Sequence, residues 1–278
     1  MSPPIQQQYY LIGSPVSHSL SPVIHNTAFA VLGLDLHYVT QDVRDEALGD
    51  IVERIDGVQV LGANVTIPHK EAIIPFLDGL DESAMKVQAV NTVVIRDGKR
   101  IGFNTDVTGF LEPLAHRSFS RVLILGAGGA ARAVLVAAND FLKAEHISVV
   151  SRRLEQARAA CTDLQMGAAI PWSDMPHEAR QADLIVNTTP IGMWPHTQAS
   201  PLQRSSLRSH QVVYDIVYNP AQTQLMTEAK LAGAHAIGGL SMLVGQAAEA
   251  FTLWTGQQMP LLDVKKALQQ HLETRSVS

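Results

Sequence analysis

The sequence RVLILGAGGAARA, residues 121–133, joins a short apolar run, a glycine-rich turn and an alanine-rich segment. This order is typical of the strand, phosphate loop and helix that open a dinucleotide-binding unit. Gly126 permits a tight turn, Gly128 lets a pyrophosphate approach the backbone, and Ala131 occupies the third, small position of the G-x-G-x-x-[GA] pattern. An ordinary strand-to-helix turn of an α/β protein remains the alternative for this motif taken by itself.

The residues that follow indicate which dinucleotide is bound. A second β-branched run, HISVV at 146–150, ends in Ser151, Arg152 and Arg153, where an NAD-binding fold usually carries an acidic residue for the ribose 2′-hydroxyl. Guanidinium groups bind a 2′-phosphate that a carboxylate would repel, so the sequence favours NADP(H) over NAD(H). Two solvated arginines at a helix start are the alternative.

Composition places the chain among globular proteins large enough for two domains. It has 278 residues, of which 46% are hydrophobic and 17% charged, and its net charge of −5 gives no basic footprint for nucleic acid or a membrane surface. The single cysteine fits a reducing compartment, and neither a signal peptide nor a membrane span is predicted. We therefore expect a cytoplasmic protein, either a monomer or a homodimer.

The pattern of apolar residues predicts an α/β fold with two domains. Strand-like and helix-like segments alternate before residue 121, with helices predicted at 22–32, 46–55 and 70–77 and a hairpin over Asp97-Gly98. Strands at 183–187 and 211–216 continue the Rossmann-like half. We predict a substrate-binding and catalytic domain with a mostly parallel sheet from residues 1–106 and 242–278, to which the C-terminal helices return, and a dinucleotide-binding domain from 107–241.

Polar clusters follow the predicted strands of the first domain, where open α/β sheets bind their ligands. In the segment at 13–22, Ser19 and Ser21 are two positions apart and are able to direct hydroxyls toward a carboxylate, although Ser21 before Pro22 is also a good helix N-cap. In NVTIPHK at 64–70, Lys70 lies at a predicted helix start, where the helix dipole disfavours a cation. A lowered pKa there would suit proton exchange with a hydroxyl–carbonyl pair, the alternative being a solvated surface lysine.

A third cluster combines Asn91-Thr92 at the start of the hairpin with GFNTD, residues 102–106, at its end. Asp106 precedes an apolar periodic segment, so a helix-capping role is the simplest interpretation. The neighbouring amides and hydroxyls go beyond what capping requires. The histidines at 18 and 69 have no partners at metal-ligand spacing, and we expect no metal site.

Taken in order along the chain, these motifs resemble the shikimate dehydrogenase family, which includes the quinate/shikimate dehydrogenases. The matching segments cover nearly the whole chain: SHSLSP (17–22), NVTIPHK (64–70), NT (91–92), GFNTD (102–106), GAGGAARA (126–133), NTTPIGM (187–193), YNP (218–220) and GGLSMLVGQAAEAF (238–251). A colinear set of this kind is far more specific than any one of its motifs.

The resemblance implies NADP-dependent, reversible reduction of 3-dehydroshikimate to shikimate in aromatic amino-acid biosynthesis. Carried onto matching positions, it makes Lys70 and Asp106 the catalytic pair. The implied substrate-binding residues are Ser19, Ser21, Thr66, Lys70, Asn91, Asp106, Tyr218 and Gln246. The implied cofactor-binding residues are Gly126, Ala127, Gly128, Gly129, Ala130, Ser151, Arg152, Arg153, Thr188, Pro190, Met193 and Gly239.

Two departures from the family pattern keep alternatives open. The family commonly has Asn-Arg-Thr and a later arginine at the adenosine phosphate site, whereas this chain has Ser151-Arg152-Arg153 followed closely by Glu155, which would favour NAD if it turned to the ribose. Gly238 replaces a common acidic residue. The alternatives are therefore a quinate/shikimate or aminoshikimate dehydrogenase that uses NAD and, from another class, a non-catalytic NADP-binding sensor.

Overall fold

The computed structural model describes residues 6–275, which form two compact units. The first unit comprises residues up to Thr105 together with those from Val244 onward, and the second comprises Asp106–Leu243. No helix in the described part of the chain is long and apolar enough to cross a membrane.

The first unit is built on a six-stranded sheet in the order β2-β1-β3-β5-β6-β4. Its strands are β1 (Gln8–Gly13), β2 (His37–Asp42), β3 (Val60–Val65), β4 (Gly79–Leu80), β5 (Thr92–Arg96) and β6 (Lys99–Phe103). Three of its neighbouring pairs are parallel, and the pairs β3–β5 and β5–β6 are antiparallel. The predicted hairpin is confirmed, because Asp97 and Gly98 both have positive φ and join β5 to β6.

Within residues 6–275, five α-helices belong wholly or mainly to this unit: α1 (Ser21–Val31), α2 (Leu48–Glu53), α3 (Glu82–Val87), α9 (Leu240–Thr255) and α10 (Leu261–Arg275). The predicted return of the C-terminal helices is confirmed. Trp254 in α9 stacks on Tyr9 of β1 with ring centroids 4.4 Å apart and donates its indole N–H to the Val93 carbonyl at 3.0 Å.

An aromatic cluster fills the space between α1, the first strands and α9. Its members are Tyr9, His25, Phe29, Tyr38, Phe251 and Trp254. His25 is fully buried, and its ring stacks on Tyr38 with centroids 4.4 Å apart. Burial lowers the pKa of His25 to about 3, so the ring is neutral at physiological pH.

The second unit contains a parallel six-stranded sheet in the order β12-β11-β10-β7-β8-β9. Its strands are β7 (Arg121–Leu125), β8 (His146–Val150), β9 (Ala168–Ile170), β10 (Leu184–Asn187), β11 (Val212–Asp215) and β12 (His235–Gly238). Its helices are α4 (Asp106–Leu111), α5 (Gly129–Val136), α6 (Leu154–Leu164), α7 (Met175–Gln181) and α8 (Gln224–Leu231). The predicted Rossmann-like fold is confirmed, because the buried apolar strands and the order of the sheet match it.

The structure overturns the helix predicted at 70–77. That segment forms turns and then a single 3₁₀ turn, Ile74–Phe76, because Pro75 has no N–H for an α-helical hydrogen bond. The helix predicted at 46–55 is likewise shorter, since α2 begins only at Leu48 after a 3₁₀ turn at Asp45–Ala47.

Candidate active site

The polar clusters of the first unit meet at one edge of its sheet. Because β1 and β3 are parallel, the loops after both strands begin there, and backbone hydrogen bonds join them from Thr66 to Ile12 at 2.8 Å and from Ser14 to Ile67 at 2.9 Å. The antiparallel hairpin brings the start of β5 and the end of β6 to the same edge, where Thr92 faces Phe103. Four segments distant in sequence therefore supply side chains to one site.

Asn91 is the centre of a buried network at this edge. Its Nδ2 donates to Thr105 Oγ1 at 3.0 Å and to Gln246 Oε1 at 3.4 Å, while its Oδ1 accepts from the Thr105 N–H at 2.8 Å. The Thr105 hydroxyl also donates to the Gln246 carbonyl at 3.0 Å. Two predicted substrate-binding residues, Asn91 and Gln246, are thus held together by a threonine that the sequence analysis did not select.

Asn64 supports Asn91 from behind. The Asn64 Nδ2 donates to the Asn91 carbonyl at 3.1 Å and to Thr92 Oγ1 at 3.0 Å, and its Oδ1 accepts from the Tyr38 hydroxyl at 2.8 Å. The amide of Asn64 is therefore oriented by hydrogen bonds from the hairpin and from β2. Buried, fully bonded amides of this kind rigidify a site.

Lys70 lies beside the Asn91 network. Its carbonyl accepts the Val90 N–H at 2.7 Å, which places its backbone against the residue that precedes Asn91, and its side chain is half-buried. The predicted helix dipole at Lys70 is wrong, because Lys70 lies in a turn and no α-helix begins there. Its position at the edge of the sheet, rather than a dipole, is what connects Lys70 with the other polar residues.

The serines of the first cluster are arranged differently from a simple cap. Helix α1 begins at Ser21 itself, and Leu20 is the N-cap, so the capping interpretation of Ser21 was wrong. Ser19 Oγ instead accepts the Ser21 N–H at 3.2 Å. Ser21 is buried, and capping does not account for its hydroxyl.

Asp106 is the first residue of α4 rather than the residue before it, so the capping interpretation was wrong here as well. It is only 3% exposed and follows directly after Thr105, the partner of Asn91. Lys70 belongs to the first unit and Asp106 to the second. The catalytic pairing of these two residues stays a prediction.

The glycine-rich loop of the second unit fits a dinucleotide phosphate. Gly126 has a φ of +118°, and a Cβ there would meet Thr188 Oγ1. A Cβ on Gly128 would meet nothing within 4 Å, which leaves open space before the first turn of α5. Helix N–H groups that face such a space favour an anion. These features suit the pyrophosphate of NADP(H).

Arg152 and Arg153 are both exposed at the end of β8, next to this loop, and Ser151 Oγ accepts the Arg153 N–H at 3.3 Å. Glu155 forms an ion pair with Arg158 at 3.0 Å within α6. The Glu155 carboxylate is thereby paired with an arginine other than Arg152 and Arg153. The segment fits a 2′-phosphate.

The other predicted cofactor residues follow strands on the opposite side of β7. Thr188 donates its hydroxyl to the Leu125 carbonyl at 2.7 Å, and Met193 is exposed in the loop after β10. Gly239 follows β12 and leaves no room for a Cβ against the Ile216 carbonyl. Tyr218 is half-buried in the loop after β11, in the second unit.

Comparison with known proteins agrees with this architecture. Family models described as the shikimate dehydrogenase substrate binding domain and the shikimate 5′-dehydrogenase C-terminal domain match residues 11–93 and 239–269. A curated relative from Salinibacter ruber, named shikimate dehydrogenase (NADP(+)), is 45% identical over 272 residues that cover 93% of this chain and 95% of that protein. This chain belongs to the shikimate dehydrogenase family.

Solved structures of family members are also similar along nearly the whole chain. The shikimate 5-dehydrogenase from Thermus thermophilus, crystallised with NADP(H) and shikimate, is 35% identical with a TM-score of 0.84 and coverage of 95% of this chain and 99% of that one. The quinate dehydrogenase from Corynebacterium glutamicum in complex with NAD is 28% identical with a TM-score of 0.86 and the same two coverages. The predicted two-sheet fold of the shikimate dehydrogenase family is therefore confirmed.

Proposed function

We propose that this member of the shikimate dehydrogenase family catalyses the NADP-dependent, reversible reduction of 3-dehydroshikimate to shikimate, in aromatic amino-acid biosynthesis. The observation that carries the proposal is the network that joins Asn91, Thr105 and Gln246 beside Lys70, with Asp106 next in the chain. The arginines after β8 support NADP(H) as the cofactor. The names of the relatives at 45% and 35% identity support the same reaction.

In this proposal residues 1–106 and 242–278 form the substrate-binding and catalytic domain, and residues 107–241 bind the cofactor. Ser19 and Ser21 hold the substrate carboxylate, with Tyr218 nearby. Thr66, Asn91 and Gln246 bind the ring hydroxyls, for which their amides and hydroxyl offer both donors and acceptors.

The nicotinamide supplies the hydride when the cofactor is bound. Lys70, as an ammonium ion, donates a proton to the carbonyl oxygen of the substrate and stabilises the negative charge that develops there. In the reverse direction the Lys70 amine accepts that proton. Asp106 orients Lys70 through a charge-assisted hydrogen bond and accepts a hydrogen bond from a ring hydroxyl.

Replacement of Lys70 tests this assignment. Lys70→Ala is expected to lower kcat for NADPH oxidation with 3-dehydroshikimate by roughly 100- to 10,000-fold, the usual range for loss of a general acid, while NADPH binding stays nearly unchanged. Lys99→Ala, an exposed lysine on β6, is the matched control and should retain full activity. Near-normal turnover in Lys70→Ala would remove this lysine from catalysis.

A second candidate is oxidation of quinate with NAD, which the similarity to the Corynebacterium glutamicum quinate dehydrogenase favours. The two functions differ in specificity constants. Steady-state kcat/KM for shikimate and quinate, each measured with NADP and with NAD, separates them, because our proposal requires the shikimate–NADP pair to be preferred. We place the reaction in the cytoplasm, since the only cysteine, Cys161, allows no internal disulfide.

A further inference from the structure

Asp215 is a buried carboxylate that the proposed reaction does not use. It ends β11, has no exposed surface, and accepts hydrogen bonds on both oxygens. Oδ1 accepts from Asn187 Nδ2 at 2.9 Å and from the Val217 N–H at 3.1 Å, and Oδ2 accepts from the Thr223 hydroxyl at 2.6 Å. All of these partners are neutral donors.

Asn187 transmits this arrangement to the loop after β10. Its Nδ2 also donates to the Ile191 carbonyl at 3.2 Å, and its Oδ1 accepts from the N–H and the hydroxyl of Thr189 at 3.1 and 2.6 Å. The Asn187 side chain therefore closes the turn formed by residues 188–191. Because a carboxylate only accepts hydrogen bonds, Asp215 dictates which end of the Asn187 amide faces it.

Thr223 and Val217 transmit the same constraint to the loop after β11. Thr223 Oγ1 donates to Asp215 and accepts the Met226 N–H at 3.2 Å, which makes it the N-cap of α8. The Val217 N–H fixes the first residues after β11, next to Tyr218. One carboxylate thus connects two loops and a helix start.

Retaining a charge at this position is costly. Burial raises the pKa of Asp215 to about 6, with the hydrogen bonds from Thr223, Val217 and Asn187 opposing the shift. The carboxylate is consequently ionised at neutral pH in spite of its burial. In some proteins a buried ionised group specifies a geometry that an apolar residue would not, and the hydrogen bonds of Asp215 to three donors fit such a role.

We propose that Asp215 is a positioning residue for the nicotinamide half of the cofactor, acting through Asn187 and Thr223. The proposal rests on the proposed function, because it takes the loops after β10 and β11 to bind that half. The order of the sheet supports it: β10 and β11 lie on one side of β7, and β8, which leads into Arg152 and Arg153, lies on the other. Loss of Asp215 is therefore expected to weaken binding of the nicotinamide half of the cofactor and to leave binding of the adenosine phosphate half nearly unchanged.

Two ligands distinguish positioning from general damage. Binding of NADPH and of adenosine 2′,5′-bisphosphate, which lacks the nicotinamide half, is measured by titration calorimetry on the full chain. Asp215→Ala should raise the Kd of NADPH by about 10- to 100-fold, the range for loss of hydrogen bonds to a charged group. The Kd of the bisphosphate should change less than about 2-fold, a difference that is small on the scale of single contacts.

Two further variants complete the test. Asp215→Asn keeps an acceptor for Asn187 and Val217, so it should weaken NADPH binding less than Asp215→Ala does. If the alanine variant fails to fold, the Kd values of the two ligands are compared in Asp215→Asn instead. Asp183→Ala is the matched control, since Asp183 accepts the N–H groups of Ser120 and Arg121 at the opposite end of β10. It should leave the ratio of the two Kd values unchanged.

The outcomes are distinct from those of the proposed function. The positioning role is overturned if Asp215→Ala raises the Kd of both ligands equally or leaves the Kd of NADPH unchanged. It is also overturned if Asp183→Ala raises the Kd of NADPH selectively. Failure of the unaltered protein to bind NADPH overturns the proposed function instead, because these measurements require no substrate and no turnover.

Discussion

Because His25 is buried as a neutral imidazole, we expect acid to destabilise the first unit and His25→Phe to remove much of this pH sensitivity. His25 has a pKa near 6.5 in an unfolded chain and about 3 in the aromatic cluster. The unfolded state therefore binds the proton of His25 more readily than the folded state does. The unfolding free energy is highest above pH 6.5, where His25 is neutral in both states, and it decreases as the pH falls toward 3. Between pH 6.5 and 4.5 this linkage removes about 2 kcal/mol, at about 1.4 kcal/mol per full pH unit.

His25→Phe retains an aromatic ring for stacking on Tyr38 and has no titratable nitrogen. Unfolding by denaturant is followed from pH 4.5 to 7.5 through Trp254 fluorescence, in a background with Trp172→Phe and Trp194→Phe, because those tryptophans belong to the second unit. We expect the unfolding free energy of the unaltered first unit to fall by about 2–3 kcal/mol more than that of His25→Phe over this range.

His37→Phe replaces an exposed ring of the same unit and is the control, for which the original pH dependence is expected. If the unaltered protein and His25→Phe show parallel pH dependence, a buried neutral histidine is not the source of the acid sensitivity.

Two further predictions concern the cofactor site. Replacing Arg152 and Arg153 together by alanine should raise the KM for NADPH by about 10- to 100-fold and change the KM for NADH little, because only NADPH carries the 2′-phosphate. Arg180→Ala, an exposed arginine of α7, is the control and should alter neither KM. Gly126→Ala should lower the unfolding free energy by about 1–3 kcal/mol, since its φ of +118° strains any other residue. Gly128→Ala should change the unfolding free energy by less than about 1 kcal/mol, because a Cβ at this position would meet no other atom within 4 Å. Equal melting temperatures for the two glycine variants would contradict the second prediction.

The sequence was most informative where a motif and a strand end coincide. The phosphate loop at Gly126, the hairpin at Asp97-Gly98 and the strand that ends at Asn187 were predictable because glycine turns and apolar runs are local signals. The return of α9 to the first unit was predicted from the helical pattern after the second sheet. The loop, the hairpin and the strand depend on few long-range contacts, whereas the return of α9 rests on distant ones such as that between Trp254 and Tyr9.

Other features were not predictable because they depend on long-range contacts. The helical periodicity at 70–77 did not produce an α-helix, because Pro75 lacks an N–H and the Lys70 carbonyl accepts the Val90 N–H instead. The roles of Thr105 and Asp215 come from partners 14 and 28 residues away, Asn91 and Asn187. A polar residue at the end of a predicted strand was the available signal for Asp215, and nothing local distinguished it from a turn residue.

The discontinuity of the first unit has a consequence for synthesis on the ribosome. Trp254 stacks on Tyr9 and Phe251 packs on Phe29, yet both α9 residues are translated long after β1 and α1. The second unit, by contrast, is one continuous segment, and all of it is synthesised between β6 and the end of α9. Nascent chains therefore carry an incomplete aromatic cluster on the N-terminal segment throughout synthesis of the second unit, and that interval is when chaperone binding is most needed.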